Sequence, residues 1–208
     1  MLRRTLLLAA MSVGFFTVPF SSAGAADNHI AASVDFIRDL ANQAISMLSN
    51  PSLNKADRRQ KFRNLFAESF AVKGIGLYVL GRYRKRATDA ELSEYLTLFE
   101  DVIVNTWADR FTEYAGQKFE VNGAVDTPSS SKAEMAALVR STFFTDPSSP
   151  VEIEWRVATN GKIYKVVDVK VSGLSLAKTQ QDEFGAVIRA GGNKVGVLID
   201  KLREMRDS

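Results

Sequence analysis

The stretch from Val151 to Ser172 reads VEIEWRVATNGKIYKVVDVKVS. In its first half Val151, Ile153, Trp155 and Val157 alternate with Glu152, Glu154 and Arg156. A period of two is what a half-buried strand requires. Asn160-Gly161 comes next. Both residues tolerate positive φ, and the pair marks a tight hairpin turn. The chain then returns from Lys162 to Ser172 as a second strand, with Val167, Val169 and Val171 on one face. A hairpin with one apolar face has to be covered by another layer, so the partners are sought on either side.

Upstream, Lys118 to Asp126 carries a short alternation of Phe119 and Val121 against Lys118 and Glu120. Lys132 to Thr145 reads as a further strand. The clusters Thr127-Pro128-Ser129-Ser130-Ser131 and Asp146-Pro147-Ser148-Ser149-Pro150 supply the turns. The result is a four-strand antiparallel meander. Before it lie helices. Ile30 to Leu48 places Ile30, Val34, Ile37, Ala41, Ala44, Ile45 and Leu48 at helical steps and stops at Asn50-Pro51-Ser52. Lys55 to Phe70 gathers Phe62, Leu65, Phe66 and Phe70 on one side, with Arg58, Arg59, Lys61 and Arg63 on a solvated side. Thr88, with Glu91 three residues on, is a capping box. It opens a long helix from Asp89 to Tyr114, closed by Ala115-Gly116. Leu92, Tyr95, Leu96, Phe99, Val102, Ile103, Trp107 and Tyr114 form its stripe. Ser175 to Arg206 is helical again, broken at Gly191-Gly192-Asn193. Helices, strands, then helices predict an α+β fold: a four-stranded curved sheet with helices on one face.

The N-terminus has its own logic. Met1-Leu2-Arg3-Arg4 is a short basic start, Leu6 to Phe20 is apolar, and Ser21 to Ala26 is small-residue rich. These are the three parts of a cleavable export signal over residues 1–25. The mature chain, 26–208, reads as one soluble domain.

Composition removes whole classes of chemistry. The 208 residues are 46% hydrophobic and 25% charged, the balance of a folded globular protein. There is no cysteine, which excludes disulfides, thiolate metal sites and Cys nucleophiles. The single histidine, His29, is expected as an exposed residue near the mature terminus, so a Ser-His-Asp triad and a His-rich metal centre are out. The net charge is +3, and about +1 once Arg3 and Arg4 are removed, too little to indicate nucleic acid. Gly74 and Gly76 follow no strand and do not form a dinucleotide fingerprint. Glu91 and Glu94 open a helix, and Glu152 and Glu154 face solvent, so neither pair reads as a catalytic dyad. Asp168 could act as a base only with a raised pKa in an apolar pocket, and it alternates away from Val167 and Val169. The cluster Arg82-Tyr83-Arg84-Lys85-Arg86 mixes cations with an aromatic and suits an anionic membrane or an acidic partner.

The segment Val79-Leu80-Gly81-Arg82-Tyr83-Arg84-Lys85-Arg86-Ala87-Thr88 resembles the LGRYWR-AT stretch of the MlaC family. Phe99, Thr106-Trp107-Ala108 and Tyr114 are similar to its F…TYA…Y helix. Val151 to Val157 is similar to its V-Y-L strand, and Asn160-Gly161-Lys162 to its hairpin. Tyr164-Lys165-Val166-Val167-Asp168-Val169 resembles WKVYDV, and Gly173-Leu174-Ser175-Leu176 resembles GVSL. Phe184, Ile188 and Gly191-Gly192 fit its last helices. Arg84 replaces an aromatic, Tyr164 a tryptophan, and Lys178 to Phe184 departs from NYRSQF.

The resemblance implies a periplasmic phospholipid carrier, related to toluene-tolerance auxiliary proteins. Such a carrier shuttles lipid between an outer-membrane lipoprotein complex and an inner-membrane ABC transporter with an MCE-domain protein. A related branch handles hopanoids. The implied cavity lies between sheet and helices. Its expected walls are Val151, Ile153, Trp155, Val157, Val167, Val169 and Val171 from the sheet, and Ile75, Val79, Phe99, Val102, Ile103 and Trp107 from the helices. Arg82 and Arg84 are expected to contact a headgroup or partner. No cofactor, metal or nucleic acid is expected, and the carrier is expected to be a monomer. Two other classes stay open: an enzyme using Asp168, and a periplasmic adaptor with a filled core.

Overall fold

Alternation and helical periodicity become a helical block and a meander in a computed structural model of the chain. It describes residues 23–48, 50–112, 117–129, 131, 134–144 and 149–207, without the side chains of 23–27, 48 and 109–112. The helices are α1 (Ala23–Leu48), α2 (Lys55–Ser69), α3 (Val72–Leu80) and α4 (Asp89–Thr112), with a 3-10 turn at Gly81–Lys85 before α4. The strands are β1 (Lys118–Thr127), β2 (Met135–Phe144), β3 (Pro150–Thr159), β4 (Tyr164–Val171) and β5 (Leu174–Ser175). The chain ends in α5 (Leu176–Ala190) and α6 (Val195–Asp207). Residues 1–22 of the expected export segment 1–25, the helix end at Tyr114 with Ala115-Gly116, and turn residues 145–148 lie outside the described residues.

The sheet is antiparallel in the order β1-β2-β3-β4-β5. It therefore has five strands rather than four. Ser172 and Gly173 sit at φ 50° and 82°, and this sharp return lays Leu174 opposite Val171. Two residues are too few to show a period, which is why β5 escapes a pattern reading. Ser175 then turns the chain into α5, its side chain accepting from the Lys178 N–H.

The glycine-studded segment after Phe70 is helical. Its glycine at 76 allows α3 to cross α4 closely: a Cβ there would meet Leu96 Cδ2 at 2.9 Å and Phe99 Cδ1 at 3.2 Å. The buried Tyr95 hydroxyl donates to the Gly76 carbonyl at 2.9 Å. Gly81, at φ 57°, ends α3 and starts the 3-10 turn. The capping box forms as expected, with Glu91 accepting from the Thr88 N–H and Thr88 Oγ1 accepting from the Glu91 N–H. Those bonds, the Thr88 backbone bond foremost, hold the Glu91 carboxyl below the usual carboxylate range. Its capping contribution is therefore present at neutral pH and is lost as the pH falls through that depressed value.

One expectation fails outright. His29 is not an exposed terminal residue: it is 4% exposed, and its Nε2 lies 3.1 Å from Asp126 Oδ1 at the end of β1. α1 begins at Ala23, so His29 sits inside a helix that packs on the sheet rather than ahead of it.

Tyr95→Phe removes the hydroxyl bond to the Gly76 carbonyl, which keeps its helical partner, and should cost about 1 kcal/mol in urea unfolding. Gly76→Val should cost about 1–3 kcal/mol by forcing α3 off α4.

Candidate functional site

Register decides which strand residues share the inner face. Phe119, Phe143 and Val151 are opposed across β1, β2 and β3. Val121, Ser141, Ile153 and Val171 form the next row, and Val139, Trp155 and Val169 the row after it. Ala137, Val157 and Val166 come last. Burial is graded along these rows. Ala137, Val139, Val157 and Val166 are fully buried, whereas Phe119, Val121, Phe143, Val151, Ile153 and Val171 are only half-buried.

The gradient follows from where the helices are tied. Ile37 and Leu40 of α1 pack with Val139, Val157 and Val166, and His29 fastens α1 to Asp126. Phe70, just past α2, forms a bridge to Val166, and the Lys165 ammonium donates to the Ala67 and Glu68 carbonyls. All these ties lie toward the end of the sheet that holds Ala137 and Val157. The opposite end keeps an apolar floor under partial cover. Leu174, opposite Val171, carries that apolar face to the rim and is 70% exposed.

Trp155 stands between the two regions. Its indole N–H donates to Ser141 Oγ at 2.9 Å, and Ser141 Oγ lies 3.3 Å from the Ile153 carbonyl it donates to. The ring meets Phe119 edge-on at 6.4 Å. With its polar hydrogen satisfied inside the protein, the indole adds only apolar surface to this end.

The expected wall residues thus divide. Val151, Ile153, Trp155, Val169 and Val171 share the half-covered face, and Val157 lies on its closed continuation. Val167 does not join them. Arg156 pairs with Asp168 and Val157 with Val166, so Val167 is the extra residue of a bulge and Val166 takes the inward position. An unrecognised bulge inverts the face assignment of everything before it in the strand. Val79, Phe99 and Val102 are buried, with Ile75 beside them, in a cluster built by α3, α4, α5 and α6 that contains no sheet residue. There Tyr95, Phe99 and Phe184 meet edge to face. Ile103 touches this cluster and a second one around Met47, Phe62 and Phe66, in which Trp107 lies. Leu65 and Phe70 belong to that second cluster and to the sheet cluster alike, so Ile103 and Trp107 reach the sheet through them. Phe143, Ser141, Val166 and Leu174 were not singled out from sequence. The run Ala136-Ala137-Leu138-Val139 is apolar throughout, so only the pairing register reveals its face.

Asp168 has a structural role. Its Oδ1 accepts from the Val169 N–H at 2.9 Å and from the Ala177 N–H at 3.3 Å, tying the start of α5 to β4. Arg82 and Arg84 sit on the 3-10 turn, against the helical cluster through Tyr83. Two surface clefts, of about 400 and 540 Å³, are lined mostly by polar residues and contain none of the expected wall residues. Among the described residues no group of three or more His, Cys, Asp or Glu could hold a metal ion. No described helix is long and apolar enough to cross a membrane.

The MlaC protein family model matches residues 38–204, the helical block and the whole meander. The chain belongs to the MlaC family. A solved phospholipid-binding protein from Ralstonia solanacearum, in complex with a phospholipid, superposes with a TM-score of 0.70 at 21% identity, over 83% of this chain and 96% of that one. The two share the fold. Within this MlaC-family fold the half-covered end of the sheet is the candidate site.

Asp168→Ala should cost about 1–3 kcal/mol in urea unfolding because two N–H groups lose their acceptor, whereas Asp168→Asn keeps Oδ1 and should stay near the parent.

Proposed function

We propose that this chain is a phospholipid carrier that binds acyl chains against the half-covered end of the sheet. The observation that carries this reading is the burial gradient on one apolar face, from fully buried Val157 and Val166 to half-buried Ile153 and Val171 and exposed Leu174. An ordinary core would be covered to both ends. Each acyl CH₂ withdrawn from water gains about 0.8 kcal/mol, so a floor of Val, Ile, Phe and Trp is sufficient chemistry for a lipid tail. Family membership and the phospholipid held by the Ralstonia protein support the same class of ligand. The role proposed is binding and transport rather than catalysis. Its setting is the periplasm after removal of residues 1–25, and its working form is a monomer with lipid as its cargo and no cofactor. The exchange partners proposed are an outer-membrane lipoprotein complex and an inner-membrane ABC transporter with an MCE-domain protein.

Native mass spectrometry of the protein purified without detergent, with organic extraction, tests the reading. A stoichiometric adduct of phospholipid mass is expected. A triterpenoid mass would move the cargo to the hopanoid class. A clean apo mass that persists after incubation with labelled vesicles would overturn the carrier and leave a lipid-free adaptor. Ile153→Glu with Val171→Glu puts two carboxylates on the half-covered face. It should lower bound lipid at least tenfold with the circular dichroism spectrum unchanged.

A further inference from the structure

The 3-10 turn holds an electrostatic arrangement that the lipid site does not use. Tyr83 is buried at its centre, 4% exposed. The Arg82 guanidinium lies 5.2 Å from the Tyr83 ring centroid, and its Nη2 donates to the phenolic oxygen at 3.2 Å. The Arg86 guanidinium stands 5.9 Å from the same ring. Arg189, in the last turn of α5, stands on the other side of Gly185 from this turn, close enough to join Arg82 in lowering the phenol's pKa. Its Nη1 lies over Gly185, 3.2 Å from where a Cβ would be. Gly185 therefore lets the Arg189 side chain lie beside the tyrosine. Three guanidiniums thus gather around one tyrosine, and exposed Arg84 and Lys85 extend the patch. None of the five forms an ion pair among the described residues. The contrast is Arg63, whose guanidinium is shared between Glu100 and Asp101.

Like charges brought together without an internal counter-ion repel, and the arrangement is stabilised when an anion is supplied from outside. Guanidinium forks held in place by an aromatic ring match oxyanions with several acceptors, above all phosphoryl groups. Tyr78, one turn upstream and 49% exposed, adds an aromatic of the kind that lies at headgroup level in a bilayer. Several Lys and Arg with an exposed tyrosine on one short turn match an anionic bilayer surface, where each cation contributes separately.

We infer that the Arg82–Arg86 turn together with Arg189 is a docking surface for the phosphoryl headgroups of an anionic membrane. It rests on the carrier reading and deepens it by giving the carrier a membrane contact separate from its lipid-binding face. Tyr83 belongs to the helical cluster, and the half-covered face belongs to the sheet cluster. Docking and cargo binding are therefore separable by mutation.

The test is co-sedimentation of the chain with vesicles of phosphatidylcholine alone or of equimolar phosphatidylcholine and phosphatidylglycerol, at low and high salt. The variant is Lys85→Glu/Arg189→Glu, which reverses one exposed charge on each element and gives the guanidiniums an internal counter-ion. Binding is expected only to the phosphatidylglycerol vesicles, with loss at high salt. The double variant should weaken it more than about tenfold, at roughly fivefold or more per cation. The same variant should keep its lipid adduct in native mass spectrometry. A variant that loses docking but keeps cargo supports the inference. A variant that keeps docking overturns it and leaves the carrier reading standing. Equal binding to phosphatidylcholine vesicles also overturns it. Displacement by millimolar inorganic phosphate at constant ionic strength would reassign the site to a soluble phosphoryl ligand. Vesicle binding that survives the variant, with lost binding to an acidic partner protein, would reassign the surface to that partner.

Discussion

The structure depends on one uneven constraint: α1 and α2 are tied to the sheet at one end only. His29 to Asp126, Phe70 to Val166 and Lys165 to the α2 carbonyls all act there. Each tie alone is modest, since net hydrogen bonds are worth about 1 kcal/mol. Together they fix which rows of the sheet are closed and which are left under partial cover. A helix tied at both ends would have buried Phe119, Ile153 and Val171 as fully as Val157.

The helical block supplies rigidity from the other side. One close approach is at Gly76, where the absence of a side chain lets α3 lie against Leu96 and Phe99. Tyr95 and Phe184 complete a packed aromatic layer there. Asp168 then couples this block to the sheet by accepting N–H groups from both β4 and the first turn of α5. A carboxylate that looks available for chemistry in the sequence is thus occupied in holding two layers together.

What was legible in the sequence was what a period or a cap can express. The alternation from Val151 to Val157, the Asn160-Gly161 turn, the Thr88–Glu91 box and the helical stripes all lie where the residues put them. What was not legible depended on pairing. The bulge at Val167 adds a single residue and transfers the inward position to Val166, and no local pattern announces it. β5 is too short to have a period. His29 looked terminal because the helix around it starts earlier than its apolar stripe, and its partner Asp126 is 97 residues away. The candidate site was half legible for the same reason. Its sheet floor could be read from alternation, but not the division of Phe99 and Val102 from it, because that division is set by which helix packs on which layer.

On the proposed carrier role, partial cover also bears on how a lipid is given up. Two long acyl chains fully withdrawn from water correspond to more than about 20 kcal/mol of gross burial, beyond what exchange on a cellular timescale tolerates without an acceptor. A closed cavity would hold such a ligand too well. A floor that grades from closed at Val157 and Val166 to open at Val171 and Leu174 allows a chain to leave carbon by carbon, each methylene costing only about 0.8 kcal/mol and regaining it in the acceptor. The indole of Trp155 fits this scheme because its N–H is already bonded to Ser141. No protein hydrogen bond has to break there as the chain slides past. On the carrier reading, weak, graded and non-directional contact is the property that makes the site reversible.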